Sequence, residues 1–202
     1  MERKNVRRFA AILASLMLLS SAGASWSADE KPSPVLSKDS FFTEVGLITG
    51  FGYGKVVAGD YFPVPLIIHL GVDMKRWFPS LKDRRDTLTF FLEPQFNLVF
   101  GFESDIETGV GIGLKYNYPL NDTVSAYGLI SVGPHYISVN TPEQSNGFLF
   151  ADTIGAGLNV FLSRGVALDV GYRFRHMSNA GAVYPNDGIN NHFGTIGITL
   201  YR

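Results

Sequence analysis

Residues 108–118, TGVGIGLKYNY, carry two patterns in one segment. Val110, Ile112, Leu114, Tyr116 and Tyr118 fall on one parity, and Gly109, Gly111, Gly113, Lys115 and Asn117 on the other. A period of two belongs to an extended strand, whose successive side chains point to opposite faces. One face of this strand is apolar throughout. The other is built of glycine, with a lysine in mid-strand. The same alternation recurs on both sides of it, at roughly 41–54, 62–77, 87–100, 124–138, 147–162, 166–179 and 191–201. In 88–100, Leu88, Phe90, Leu92, Phe96, Leu98 and Phe100 oppose Thr89, Glu93, Gln95 and Asn97. In 153–162, Ile154, Leu158, Val160 and Leu162 oppose Thr153, Gly155, Gly157 and Asn159.

A soluble sandwich with its apolar parity packed inward shows the same period, and a need for detergent on extraction separates the two. Two features favour a membrane barrel. Glu44, Glu93, Lys115, Asp169 and Arg173 lie in mid-strand on the polar face, which suits a small packed polar lumen. The apolar face ends in Tyr, Phe and Trp, as interfacial girdles do. The sequence therefore predicts an all-β fold, an eight-stranded antiparallel transmembrane β-barrel of the outer membrane, over 41–202. The chain has no cysteine, which excludes a disulfide framework, a thiol nucleophile and a zinc–thiolate site. No run after the N-terminal segment approaches the 18 apolar residues of a membrane helix.

At the N-terminus, Arg3, Lys4, Arg7 and Arg8 precede the apolar run AAILASLMLL, and Ala22 and Ala24 follow at the spacing a signal peptidase reads. Residues 1–24 are expected to be a secretory signal peptide, cleaved near 24–28. Residues 25–40 form a periplasmic lead-in. Taking the four basic residues from 17, and Glu2 from 18 acidic ones, leaves 13 against 17, a mildly acidic chain that argues against a nucleic-acid partner. The tight turns LND (120–122) and SRG (163–165) belong on the periplasmic side. GFESDIE (101–107), NTPEQSNG (140–147) and AGAVYPNDGIN (180–190) alternate with them and belong outside. SLKDRRD (80–86) is a longer, charged periplasmic connection.

The segment RFRHMSNAG (173–181) places chemistry on this scaffold. Val166, Leu168, Val170, Tyr172 and Phe174 share the lipid-facing parity, and His176 and Ser178 continue it. Asp169, Arg173 and Arg175 point into the lumen. Side chains at i and i+2 lie about 7 Å apart at Cα, near enough for imidazole and hydroxyl to meet if the strand end bends. A polar pair facing lipid suits a substrate that is itself a lipid ester. His69 and His135 fall on the lumen side, where hydrogen-bonded structural roles are expected. His192 shares the outer parity near Asn190, as a spare base or a lipid phosphate contact. GFGYGK (50–55) lacks the strand–loop–helix context of a nucleotide loop. No carboxylate–histidine cluster has metal-ligand spacing, and neither metal nor cofactor is expected.

His176-x-Ser178-Asn179-Ala180-Gly181, followed by Pro185-Asn186-Asp187-Gly188, resembles the C-terminal signature of the lipid A 3-O-deacylase (PagL-type) family. The motif covers about 15 residues, and the rest of the chain agrees in strand pattern alone. The resemblance implies an eight-stranded outer-membrane barrel and a serine esterase. Its partners are lipid A of lipopolysaccharide and the outer-membrane lipids, its product the loss of the 3-O-linked acyl chain, and its site the extracellular end. It further implies Ser178 as nucleophile, His176 as general base, and Asn179, Gly181 and Asn186 near the oxyanion. Where the family's characterised members carry a glutamate two residues after Asp-Gly, this chain has Asn190. Parity places Asn190 beside His176. Its oxygen can accept Nδ1–H and hold the tautomer, but brings no charge. Asp187 is the alternative orienter if the loop folds inward. The rival reading is a non-catalytic small outer-membrane barrel, whose motif is a lipopolysaccharide contact or a structural loop.

Overall fold

Each alternating segment forms a strand, and the strands close on themselves. The computed structural model describes residues 36, 37 and 39–202. The strands are β1 (Glu44–Val56), β2 (Gly59–Asp73), β3 (Thr87–Gly101), β4 (Asp105–Pro119), β5 (Val124–Ile137), β6 (Gly147–Ser163), β7 (Val166–Ser178) and β8 (Ile189–Tyr201). Each pairs with the next, β1 pairs antiparallel with β8, and the sheet is a closed barrel. With 13 to 17 residues, the strands exceed the roughly 9–11 needed to cross a bilayer. The expected signal peptide, and the lead-in up to residue 35, lie outside the described residues.

Several boundaries differ from the sequence reading. The segment expected at 62–77 starts at Gly59 and ends at Asp73, whose Oδ1 accepts from Lys75 N at 2.8 Å and starts a 3-10 turn, Met74–Arg76. The connection to β3 thus begins at residue 74 and includes Trp77. The loop expected over 101–107 shrinks to 102–104, because Ile106 and Glu107 continue the out-and-in alternation of β4. β8 begins at Ile189, which draws Asn190 into the sheet.

Parity sorts the two faces as expected. Leu47, Phe96, Ile112, Leu114, Ile130, Ile154, Val170 and Ile196 are exposed on the outer wall, whereas Glu44, Glu93, Lys115, Asp169 and Arg173 are buried inside. Four of these buried charges are paired, and Asp169 accepts from the Tyr127 hydroxyl at 3.0 Å. Glu93 receives both terminal nitrogens of Arg173 and lies 2.9 Å from His69 Nδ1. His69 Nε2 lies 3.2 Å from Glu44, which also takes Lys115 Nζ at 2.8 Å. A second knot surrounds Glu107: Arg175 at 2.8 Å, His135 Nε2 at 3.3 Å, Asn97 Nδ2 at 2.5 Å and the Tyr61 hydroxyl.

The polar lumen does not run the whole height. At the end bearing the β7–β8 loop, Val56, Tyr61, Val99, Ile137, Val139, Leu149, Ala151, Met177 and Ile189 form a buried apolar cluster. It caps the charged layer at that end.

Truncating one partner of such a pair leaves a charge buried alone, which costs about 3–5 kcal/mol. Arg175→Met is therefore expected to lower the temperature at which the folded barrel's fast electrophoretic band is lost. Adding Glu107→Gln should recover much of that loss, because no bare carboxylate then remains.

Candidate active site

β7 and β8 run antiparallel, with His176 directly opposite Asn190. Both side chains lie on the outer face, His176 half-buried and Asn190 exposed. His176 Nδ1 lies 2.8 Å from Asn190 Oδ1. An amide oxygen only accepts, so the imidazole donates from Nδ1, the tautomer whose neutral form has Nε2 free to take a proton. The register is locked from inside the wall as well. Arg175, the inward neighbour, donates from Nη2 to Asn191 Oδ1 at 2.9 Å across the same two strands.

Ser178 ends β7 on the same outer face as His176. Its hydroxyl forms no hydrogen bond with the imidazole, so the contact expected from the sequence is not made in this structure. β7 stays paired as far as the rung Phe150↔Ser178. The bend begins only afterwards, where Ala180 takes a φ of 54°.

The β7–β8 loop is stitched by two asparagines. Asn179, 4% exposed, donates from Nδ2 to Val183 O at 2.6 Å and to Ser145 Oγ at 3.1 Å, and its Oδ1 accepts from Gly181 N at 3.0 Å. Its own N–H reaches Asn186 Oδ1 at 2.7 Å. The amides of Asn179 and Gly181 are thus engaged within the loop, whereas Asn186 Nδ2 has no partner among the described residues. Asp187 donates its N–H to Glu143 O at 2.8 Å; its carboxylate is not on Nδ1 of His176, which Asn190 occupies.

Several contributors carried little sequence signal. Gln144 bridges to Asn186, Ser145 N donates to Pro185 O at 3.0 Å, and Glu143 accepts from Val57 N. The β5–β6 connection therefore braces the site loop against the β1–β2 turn, and a polar loop composition gives no hint of that contact. Gly188 has a φ of +83°, and a Cβ there would sit 2.5 Å from His176 Cε1 and 3.1 Å from Nε2. Only glycine lets the loop pass this close to the ring. His192 is held beside the site, not in it: its Nδ1 is 2.6 Å from Tyr172 OH and its ring 5.2 Å from that of Phe174. On the other flank, Asp152 of β6 is the cross-strand partner of His176 and faces outward. Its parity with Phe150 and Ile154 was readable, but its neighbour was not.

An oriented imidazole with a hydroxyl on the same lipid-facing wall suits nucleophilic attack on an ester lying along that wall. A family model described as lipid A 3-O-deacylase (PagL) matches residues 67–199. Among solved structures, the outer membrane enzyme PagL matches with a TM-score of 0.54 at 21% identity, covering 76% of this chain and 97% of that one. Neisserial surface protein A matches with a TM-score of 0.54 at 14% identity, covering 81% of this chain and 98% of that one. At such identities the two structures speak for the barrel alone. No curated protein sequence matches the chain.

Asn179→Ala removes three side-chain hydrogen bonds from the loop, each contributing about 0.5–1.5 kcal/mol. Amide exchange at Gly181 and Ala182 is expected to speed up by tenfold or more, while exchange in β7 and β8 stays slow. Hydrogen-exchange spectra of the barrel in micelles measure both.

Proposed function

The chain belongs to the lipid A 3-O-deacylase (PagL) family, and from that premise we propose that it is a serine esterase acting at the extracellular end of the barrel. Its substrate in this reading is the 3-O-linked acyl ester of lipid A. A cleaved signal peptide over residues 1–24 fits that location. The observation that carries the reading is the lipid-facing His176, oriented by Asn190 at 2.8 Å and two residues from Ser178 on one face of β7.

His176 Nε2 takes the Ser178 proton as the hydroxyl oxygen attacks the ester carbonyl. For that step the Ser178 side chain swings toward the imidazole, a rearrangement common to apo hydrolases, whose catalytic hydrogen bonds tighten on substrate. Negative charge gathers on the former carbonyl oxygen. The partnerless Asn186 Nδ2 is the group we assign to it, with Asn179 and Gly181 shaping the turn that presents it. The imidazolium returns its proton to the leaving sugar oxygen. Water, activated by the same Nε2, then releases the fatty acid from Ser178. The acyl chains lie against the outer wall, so the membrane itself delivers the substrate.

Asn190 sets the strength of the base. A hydrogen bond to a charged partner contributes about 1.5–3 kcal/mol against about 0.5–1.5 for a neutral one. An amide in place of a carboxylate thus leaves the imidazolium about 1–2 kcal/mol less stabilised, roughly fivefold to thirtyfold in rate. The second reading, a non-catalytic barrel, draws on the unmade Ser178–imidazole contact. Chromatography of lipid A from cells with and without the protein separates the two: loss of one acyl chain supports the esterase, and unchanged lipid A supports the alternative.

Ser178→Ala and His176→Ala are each expected to abolish deacylation without reducing the heat-modifiable folded fraction, since both side chains stand on the outer face, away from the lumen. Unchanged turnover in either variant moves the chemistry elsewhere.

Asn190→Glu is expected to raise turnover by about tenfold, and Asn190→Leu to lower it, because Nδ1–H then loses its acceptor. Rates unaffected by both variants would remove Asn190 from the site and make Asp187 the next orienter to test.

A further inference from the structure

The outer wall of β6 carries Phe148, Phe150, Ile154 and Leu158, all exposed and apolar. Asp152 interrupts this row. It is not a rim residue, because Phe148 and Phe150, in edge-to-face contact at 5.1 Å, stand between it and the end of the strand. Its cross-strand neighbour on β5 is Val132, exposed and apolar. Its neighbour on β7 is His176. A carboxylate on a lipid-facing wall is unfavourable to a degree that grows with depth. Here its one polar cross-strand neighbour is the imidazole.

We propose that Asp152 is the negative charge that stabilises the His176 imidazolium in this chain, acting through His176 and not on the substrate. This rests on the reading of His176 as the base. Asn190 orients the ring from β8 without charge, and Asp152 supplies the charge from β6, on the opposite flank. Directly opposed residues have Cβ atoms about 4.5–5.5 Å apart, within reach of a carboxylate and an imidazole. Among the described residues the Asp152 carboxylate makes no hydrogen bond or ion pair, so it is not tied to another task. The pair forms no direct contact at rest; the interaction is one of charge across a short gap, and it strengthens when the ring becomes cationic and lipid excludes water.

The other charged or titratable groups around the ring fit this division. On β8, His192 is held by Tyr172. Asp187 lies in the loop beyond, with its backbone fixed to Glu143. Lys55 of β1 lies across β8, next to the rung Gly54↔Asn191. Arg175 projects to the lumen and is paired with Glu107. None of them flanks His176 in the sheet as Asp152 does.

The test is the steady-state kinetics of the purified full-length barrel in mixed micelles with lipid A. Asp152→Asn is expected to lower kcat by about tenfold with little change in KM, and to move the acid limb of the pH–rate profile to lower pH. A carboxylate favours the protonated ring, so its loss lets the base work in more acidic solution. Asp152→Glu should restore both kcat and the limb, which a mere packing role at this position would not do. Adding Asn190→Glu should speed the Asp152→Asn barrel by a larger factor than it speeds the wild type, because the two carboxylates serve one cation. Wild-type kcat and an unmoved limb in a folded Asp152→Asn barrel overturn the proposal, as does a rate that Asp152→Glu fails to restore. Ser178→Ala in the same assay keeps the two readings apart. If it is inactive while Asp152→Asn matches wild type, only Asp152 loses its role. If it is as active as wild type, or the wild type is inert, the esterase reading falls and this inference falls with it.

Discussion

The seam between β1 and β8 is the contact on which the rest of the structure depends. Inside a bilayer no water is present to satisfy backbone N–H and C=O groups, so a sheet with a free edge is excluded there. Eleven successive rungs, from Glu44↔Tyr201 to Gly54↔Asn191, remove that edge. Once the sheet is closed, each strand residue has two possible addresses, lumen or lipid, and its parity decides which. Glu44, at the first rung of the seam, is also a hub of the lumen network, where it binds His69 and Lys115. Closure and interior charge pairing therefore support one another.

The same geometry explains why chemistry can sit on the outside of such a barrel. The interior is charged in its middle and apolar at the long-loop end. A lipid ester is already at the wall, held in the leaflet. The wall needs only a few polar side chains at the height of the ester, held firmly enough to act. Here the firmness comes from behind. Arg175 and Met177 anchor β7 inward on either side of His176, and the Arg175–Asn191 bond backs the His176–Asn190 rung through the thickness of the sheet. The loop above is braced by a second loop, through Gln144, Ser145 and Glu143, so the turn after Ser178 keeps its form without a disulfide.

The period of two, read along TGVGIGLKYNY and its counterparts, determined the strand count and the face on which His176, Ser178, Asn190 and the lumen charges lie, while mid-strand charges and aromatic strand ends pointed to a barrel over a sandwich. That much follows from the pleat, a local property of an extended chain, and from the cost of placing charge toward lipid. The HxSNAG and PNDG segments pointed to the family by resemblance. Strand ends were less legible. Asp73 capping a turn, or Ile106 and Glu107 continuing β4, depends on partners far away in the chain. Which residues meet was settled only by register. Nothing in the sequence places Asp152 beside His176, 24 positions later, or Gly188 against its ring. Nor does it foretell that β7 stays paired through Ser178 before the chain turns. These contacts lie across hydrogen-bonded rungs and between loops, and they come into being only when eight strands close at one shear and each rung selects its partner.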